Sequence, residues 1–428
     1  MLYIYRTYDK ISPLRSFLAS VEMTLIYFCA GILLRTKFTA ISKILIVACL
    51  LLIAMHCIIG CMVATQLYNF NAGPAILPHP VLEKAQAELL DLPGAGLSVM
   101  EISHRSANFD EIIIKARNGI RKLYNLSDDY EVLFLQGGAS LQFEMAPLNL
   151  LHQGDKAQYL VTGSWGQKAF AAARSTQQWN DAQIDLAFSD EEAGFRRVPE
   201  SNEYKVDSAA RYVHFTSNET IHGVQWQSEP QTDDVPLVAD VSSDMLSREI
   251  DVSKYGMIYG GAQKNLGPSG VTVVIIRRDF LYPKDSLPKM LDYHTHISKE
   301  SLFNTPNTFG IYIITLVCDW LEEQGGLRGI ATLNSAKAKL LYDSIDASDG
   351  FYYGHADRES RSVMNVPFRL KDAELEKQFI AEAADAGFVG IKGHRDVGGL
   401  RASIYNAQPR QAVEALVDFM TEFVKRCG

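Results

Sequence analysis

From residue 67 onward the chain alternates short apolar runs with amphipathic stretches, and this pattern constrains the fold more than any other feature. Strand-length apolar runs, each followed by a segment of helical period, set parallel strands side by side with helices laid over them, an α/β architecture with a largely parallel sheet. Strands are predicted over 131–135, 158–162, 210–216, 235–239, 257–260 and 271–276. Between them, residues 110–126 read as a helix with Ile112, Ala116, Ile120 and Leu123 on one face, and 142–151 as another. Helices over 309–324 and 329–345 close this large domain, assigned to residues 67–325. Its first residues are expected to contribute to the smaller domain or to the active site. Residues 326–428 change style, running "SVMNVPFRL", "DAELEKQFIAEAADAG", "GLRASIYNA" and a final helical stretch, which reads as a small C-terminal α+β domain.

Residues 1–66 form an apolar N-terminal extension. The run at 44–63, "ILIVACLLLIAMHCIIGCMV", has no charged side chain and is long enough to cross a bilayer as a helix. The run at 17–34 carries Glu22 and is the weaker candidate, and Arg35, Lys37 and Lys43 between the two read as cytoplasmic charge that would send the rest of the chain outside. That placement conflicts with the character of the main body. Only Cys318 and Cys427 follow residue 66, so there is no disulfide framework, and a cytoplasmic location suits the body. A gene start placed too early, with the protein beginning at Met62, is therefore preferred to a membrane anchor through 44–63, and a cleaved targeting segment is disfavoured by the length and position of the run.

The formal net charge of −9 and the lack of a Lys/Arg cluster argue against nucleic acid as a partner and favour a small molecule. No cysteine or histidine spacing suggests a metal site. Polar residues at the carboxyl ends of strands then take priority, because ligands of open α/β sheets gather there. In "FLQGGASLQF" the residues Gly137, Gly138, Ala139 and Ser140 join a strand to a helix, and free N–H groups in such a turn suit a phosphate. In "VPLVAD" a strand ends on Asp240, and Lys264 follows the next strand in the glycine-rich turn "GGAQKNLGPSG". An amine, an acid and a phosphate nest at neighbouring strand ends meet the needs of pyridoxal 5′-phosphate: a Schiff-base lysine, a partner for the pyridinium N–H and a phosphate site. Trp165 in "TGSWGQKAF" offers a flat face for the ring or is a core residue, and Thr220 in "SNETIHGV" offers a hydroxyl.

With "FNAGPAILP", "SVMEISHRS", "QGGASLQF", "SNETIHGVQW", "GGAQKNLGPSG", "LFNTPNTF" and "GHRDVGGLRASIYNA" in this order, the chain from about Tyr68 to its end resembles the phosphoserine aminotransferase family, pyridoxal-phosphate enzymes of fold type I. The resemblance implies a mostly parallel seven-stranded sheet, with Lys264 as the Schiff-base lysine and Asp240 as the pyridinium partner. It implies that Ala139 and Ser140 hold the cofactor phosphate, assisted by Gln263 and Thr220, that Trp165 stacks on the ring, and that Asn304 and Thr305 reach the neighbouring subunit's cofactor in a homodimer with shared sites. On the substrate side it places Arg401 on the α-carboxylate and His104, Arg105, His394 and Arg395 around the distal phosphate. Guanidinium groups suit both anions. Some relatives carry arginine where this chain has Ser140, which removes one cation from the neighbourhood of the distal anion.

The reaction so implied is a ping-pong transamination between L-glutamate and 3-phosphohydroxypyruvate that yields O-phosphoserine and 2-oxoglutarate, a step of serine biosynthesis, with 4-phosphohydroxythreonine left open as a further substrate from vitamin B6 synthesis. The alternatives are a related aminotransferase for unphosphorylated amino acids, which would lack the second anion cluster, and a membrane-anchored relative without activity, which would lack the lysine or the aspartate. A cysteine desulfurase requires a thiol on a mobile loop, and neither Cys318 nor Cys427 is placed for that.

Overall fold

The computed structural model describes residues 67–282 and 287–428, so the run at 44–63, the Met62 start and the cysteines before residue 67 lie outside the described residues. Leu67–Gly428 forms one compact unit. Its helices of eight or more residues are α1 (His79–Ala87), α2 (Ala107–Leu123), α3 (Gly138–Leu150), α4 (Ser164–Ser175), α5 (Thr308–Glu323), α6 (Gly326–Asp346), α7 (Ala373–Asp385) and α8 (Arg410–Cys427).

The main sheet has seven strands: β1 (Tyr130–Leu135), β2 (Lys156–Val161), β3 (Gln183–Ser189), β4 (Tyr212–Thr216), β5 (Leu237–Asp240), β6 (Tyr255–Gly261) and β7 (Thr272–Arg277). Their order is β1-β7-β6-β5-β4-β2-β3. All neighbours are parallel except β7, which runs antiparallel to β1 and β6. Side chains alternate across the sheet as strand geometry requires. Val132, Phe134, Val213, Phe215, Val273 and Ile275 enter one apolar layer with α2 and α5. Leu133, Leu135, Tyr212, Val274 and Ile276 enter the other with α3 and α4. With both faces covered, the central strands read as continuous apolar runs.

A third cluster, built around Phe70, Val366, Phe368, Leu400, Leu416, Met420 and Phe423, lies under a three-stranded antiparallel sheet of β8 (Tyr352–Gly354), β9 (Asn365–Leu370) and β10 (Leu400–Ser403). Tyr68–Asn69 pairs in parallel with Phe388–Val389, which ties the start of the described chain to this part. Among the described residues no helix is long and apolar enough to cross a membrane.

Six strands fall where the sequence predicts them, to within a few residues. The seventh, β3, was not predicted: it lies at the sheet edge with a largely uncovered face, so Asp185 interrupts the apolar pattern without penalty. Three helices, α2, α3 and α6, begin three or more residues earlier than predicted. α2 starts at Ala107 because Ser106 caps it by accepting from the Phe109 N–H. α3 starts at Gly138, so the glycine turn of the prediction is already the first turn of a helix.

Candidate active site

The parallel register determines what meets at the carboxyl edge of the sheet. Leu160 lies opposite Phe215, Thr216 opposite Asp240, and Asp240 opposite Tyr259, so β2, β4, β5 and β6 end together. Trp165 follows β2, Thr220 follows β4, Asp240 closes β5 and Lys264 follows β6. The Lys264 Nζ donates to Thr220 Oγ1 at 2.6 Å and lies 5.6 Å from the centre of the Trp165 ring. Arg401, on β10, donates through Nη1 to the Thr220 carbonyl at 3.3 Å. Thr220 thus serves both cations, one by its side chain and one by its backbone. Gln263, beside the lysine, accepts from the Ala75 N–H at 2.9 Å, which fastens the "FNAGPA" segment to the same turn. Gly73 backs onto the lysine stem: its φ is +148°, and a Cβ there would lie 3.4 Å from Lys264 Cγ.

Asp240 is buried, and Ser242 donates to its Oδ1 twice, from the backbone N–H at 2.9 Å and from Oγ at 2.5 Å. Ser242 Oγ in turn accepts from the Gly261 N–H at 3.1 Å, bracing the ends of β5 and β6 against each other. With both bonds on Oδ1, the second oxygen is left to accept from a ligand. Burial raises the Asp240 carboxyl, while the Ser242 bonds and the charge of Lys264 pull it back down. Burial acts in the opposite sense on the lysine, lowering the ammonium to about 8, with Asp240 and Glu219 opposing and Arg401 assisting. The result is an amine still largely protonated near physiological pH, but one that gives up its proton far more readily than an exposed lysine.

The nest is built by α3. Gly137 caps the helix in the left-handed region, at φ +87°, and a Cβ there would come within 2.5 Å of Leu141. The first N–H groups of a helix have no partner within it, so those of Gly138, Ala139 and Ser140 are free for an anion. Ser140 is exposed and Ala139 partly buried. Asn304 donates to the Gln136 side chain at 2.9 Å, and Gln136 donates to the Thr305 carbonyl at 3.1 Å, which sets that segment beside the residue preceding the nest.

The expected anion cluster is only partly assembled. Arg401 is partly buried, and its buried Nε has no partner among the described residues. His394 and Arg395 both approach Asp396, at 3.3 and 3.5 Å, and the Arg395 side chain is 92% exposed. His104 is partly buried and Arg105 exposed, and among the described residues no hydrogen bond, ion pair or ring contact joins either to the Lys264 group. Sequence reading missed Ser242 and Glu219. Glu219 is fully buried, accepts from the backbone N–H groups of Trp165 and Gly166, and has its carboxyl pushed up to about 7 by burial. Its only signal was an acid inside "SNETIHGV", among residues chosen for other reasons.

An amine of lowered basicity, a buried acid with one oxygen to spare, an aromatic face, a helix N-terminus and a buried guanidinium nitrogen lacking a partner fit a flat, cationic-ring aldehyde bearing a phosphate, with an anionic substrate beside it. Together with the sheet order they define a pyridoxal-phosphate-dependent transferase of fold type I. The model of the family "Aminotransferase class-V" matches residues 67–416. Phosphoserine aminotransferase from Lysinibacillus sphaericus is 54% identical over 84% of this chain and 98% of its own, and that from Geobacillus kaustophilus is 52% identical over the same shares. The crystal structure of phosphoserine aminotransferase from Bacillus circulans subsp. alkalophilus superposes with a TM-score of 0.82 at 49% identity, covering 85% of this chain and 99% of that one. The pyridoxal-phosphate-bound phosphoserine aminotransferase from Trichomonas vaginalis gives 0.78 at 37% identity, covering 83% and 100%. The chain belongs to the class-V aminotransferases and, within them, to the phosphoserine aminotransferases, and its cofactor is pyridoxal phosphate.

Among the described residues the desulfurase alternative finds no thiol at this site: Cys318 is buried in α5, where burial pushes its thiol well up, and Cys427 lies at the end of α8, contacted by Gln378.

The lowered ammonium yields a pH test. In the cofactor-free protein, capture of a small aldehyde by Lys264, followed residue by residue by mass spectrometry after reduction, should rise with pH about a midpoint near 8. Below that pH the ammonium has no lone pair, and above it the free amine reacts. A midpoint above about 10, where an exposed lysine titrates, would show that the site does not perturb this amine.

Proposed function

We propose that the chain transfers the amino group of L-glutamate to 3-phosphohydroxypyruvate, with Lys264 and Asp240 as its catalytic pair. The observation that carries this reading is the Lys264 amine, its basicity lowered by burial, bonded to Thr220 beside the Trp165 ring, with Arg401 on the carbonyl of the same threonine. When bound, pyridoxal phosphate supplies an electron sink for the charge left on the substrate Cα after its proton departs.

The residues of the chain do the rest. Lys264 Nζ would hold the cofactor, and as a free amine whose basicity burial lowers to about 8 it would move the proton at the substrate Cα as a general base. Asp240 would hold the ring nitrogen protonated through the oxygen that Ser242 leaves unused, its carboxylate steadied by the two Ser242 bonds on Oδ1. The N–H groups of Ala139 and Ser140 hold the cofactor phosphate with help from Gln263 and Thr220, and Trp165 covers one face of the ring. Arg401 binds the α-carboxylate. His394 and Arg395, with His104 and Arg105, receive the distal phosphate of one substrate and the γ-carboxylate of glutamate in turn. The present engagement of His394 and Arg395 with Asp396 would be exchanged for that anion.

We also read the active unit as a homodimer in which Asn304 and Thr305 serve the neighbouring cofactor, a reading supported by the exposure of Thr305 beside the nest-forming segment. Sedimentation equilibrium of the purified protein should return twice the chain mass, whereas a fully active monomer would contradict it. For the reaction itself, the measurement is a glutamate-dependent assay with 3-phosphohydroxypyruvate and pyruvate as competing acceptors. Losing the distal charge-assisted bonds, at about 1.5–3 kcal/mol each, should cost pyruvate at least about 100-fold in kcat/KM. Lys264→Ala should abolish turnover, and Arg401→Ala should lower kcat/KM by roughly 10- to 100-fold for every substrate, since all carry the α-carboxylate. Equal use of pyruvate would transfer the assignment to an aminotransferase for unphosphorylated substrates.

A further inference from the structure

Helix α4, which carries Trp165 in its first turn, is not capped by its own sequence. Its N-cap residue is Gly163, which has no side chain to offer. The cap comes instead from Glu219, at the end of the Asn218–Glu219 strand, whose two carboxylate oxygens accept separately from the Trp165 N–H at 3.0 Å and the Gly166 N–H at 2.8 Å. Gly163 is in extended backbone open to any residue, so its identity is a matter of space: a Cβ there would lie 2.3–2.5 Å from the Glu219 Cδ, Cγ and Oε2. At Gly166 a Cβ would lie 3.2 Å from Oε1. Glycines on both sides of Trp165 therefore make room for one carboxylate from a distant strand.

A serine or aspartate at position 163 would cap the helix locally at no cost in burial. Burying a carboxylate is expensive unless it is fully engaged, and Glu219 is 0% exposed. Helix stability alone does not account for this choice, but position does. The residue after Glu219 is Thr220, whose hydroxyl accepts from Lys264 Nζ. Two adjacent residues of one segment thus fix the backbone of Trp165 and the amine of Lys264, so that the aromatic face and the lysine are referred to the same short piece of chain.

We propose that Glu219 is a positioning residue whose carboxylate anchors the first turn of α4 and thereby holds the Trp165 indole at the Lys264 amine. The inference rests on the stacking role proposed above for Trp165, and the test separates the two. The protein contains four tryptophans, so 5-fluorotryptophan labelling gives four 19F resonances, and Trp165→Phe identifies the one that matters. In the cofactor-free protein, Glu219→Gln should displace or broaden the Trp165 line and leave those of Trp179, Trp226 and Trp320 in place. Gly163→Ala should do the same with the carboxylate retained, which covers the case in which Glu219→Gln fails to fold.

Compensation supplies the readout that a merely structural role would not move. Glu219→Ala opens the space a Cβ at 163 needs, and adding Gly163→Ser supplies a local cap. The double variant should return the Trp165 line towards its original position. It should also recover the cofactor affinity, read from the visible band on titration with pyridoxal phosphate, from a loss in Glu219→Ala of about tenfold, the scale of one aromatic contact. A Trp165 line unmoved by both single substitutions, or a double variant no better than Glu219→Ala alone, would overturn the proposal. Should Trp165→Phe leave cofactor affinity unchanged, the stacking role fails, while the 19F lines still decide for or against the anchoring by Glu219.

Discussion

The alignment of four strand ends at one edge of a parallel sheet is the constraint on which the rest of the site depends. Parallel strands all point their carboxyl ends to one edge, so the residues that follow β2, β4, β5 and β6 gather there, whether the connection is a helix, as after β2, or a loop, as after β4 and β5. Register does the fine placement. Asp240 lies opposite Thr216 on one side and Tyr259 on the other, and a slip of one residue would turn its carboxylate to the opposite face. Both faces of these strands are packed in apolar layers, which penalises that slip heavily.

That edge concentrates charge where burial makes charge costly. Lys264, Asp240 and Glu219 share one neighbourhood, and burial acts on each towards its neutral form, lowering the amine and raising both carboxyls. Their mutual attraction acts in the other direction. The protein resolves the conflict by engaging each acid with fixed donors: Ser242 on Asp240, and the backbone of Trp165 and Gly166 on Glu219. The lysine receives only a hydroxyl, Thr220, at its nitrogen. The acids are therefore held rigidly while the amine, which on the proposed mechanism leaves its place and returns, has a single hydroxyl partner among the described residues.

Much of this was legible in the chain. The six predicted strands announced themselves because both their faces are covered, and Asp240 and Lys264 stood out as polar residues at or just beyond the ends of apolar runs. The edge strand β3 escaped because an uncovered face tolerates Asp185. The start of α3 escaped because Gly137 and Gly138 signal a turn, and only the backbone shows that Gly137 caps a helix whose first turn holds the residues proposed to bind the phosphate. Glu219 and Ser242 act through other residues, by hydrogen bonds to backbone or carboxylate, and such roles have no spacing to betray them. The distal anion cluster was legible in composition but not in assembly: His394 and Arg395 sit on Asp396, and His104 and Arg105 stand apart from the lysine group within one chain.

If the amine just beyond β6 is where the cofactor is held, loading the protein with pyridoxal phosphate, reducing with borohydride and locating the fixed label by peptide mass spectrometry should give a single labelled position, Lys264, with label lost in Lys264→Ala. Label on another lysine such as Lys168, or label that survives that substitution, would contradict it.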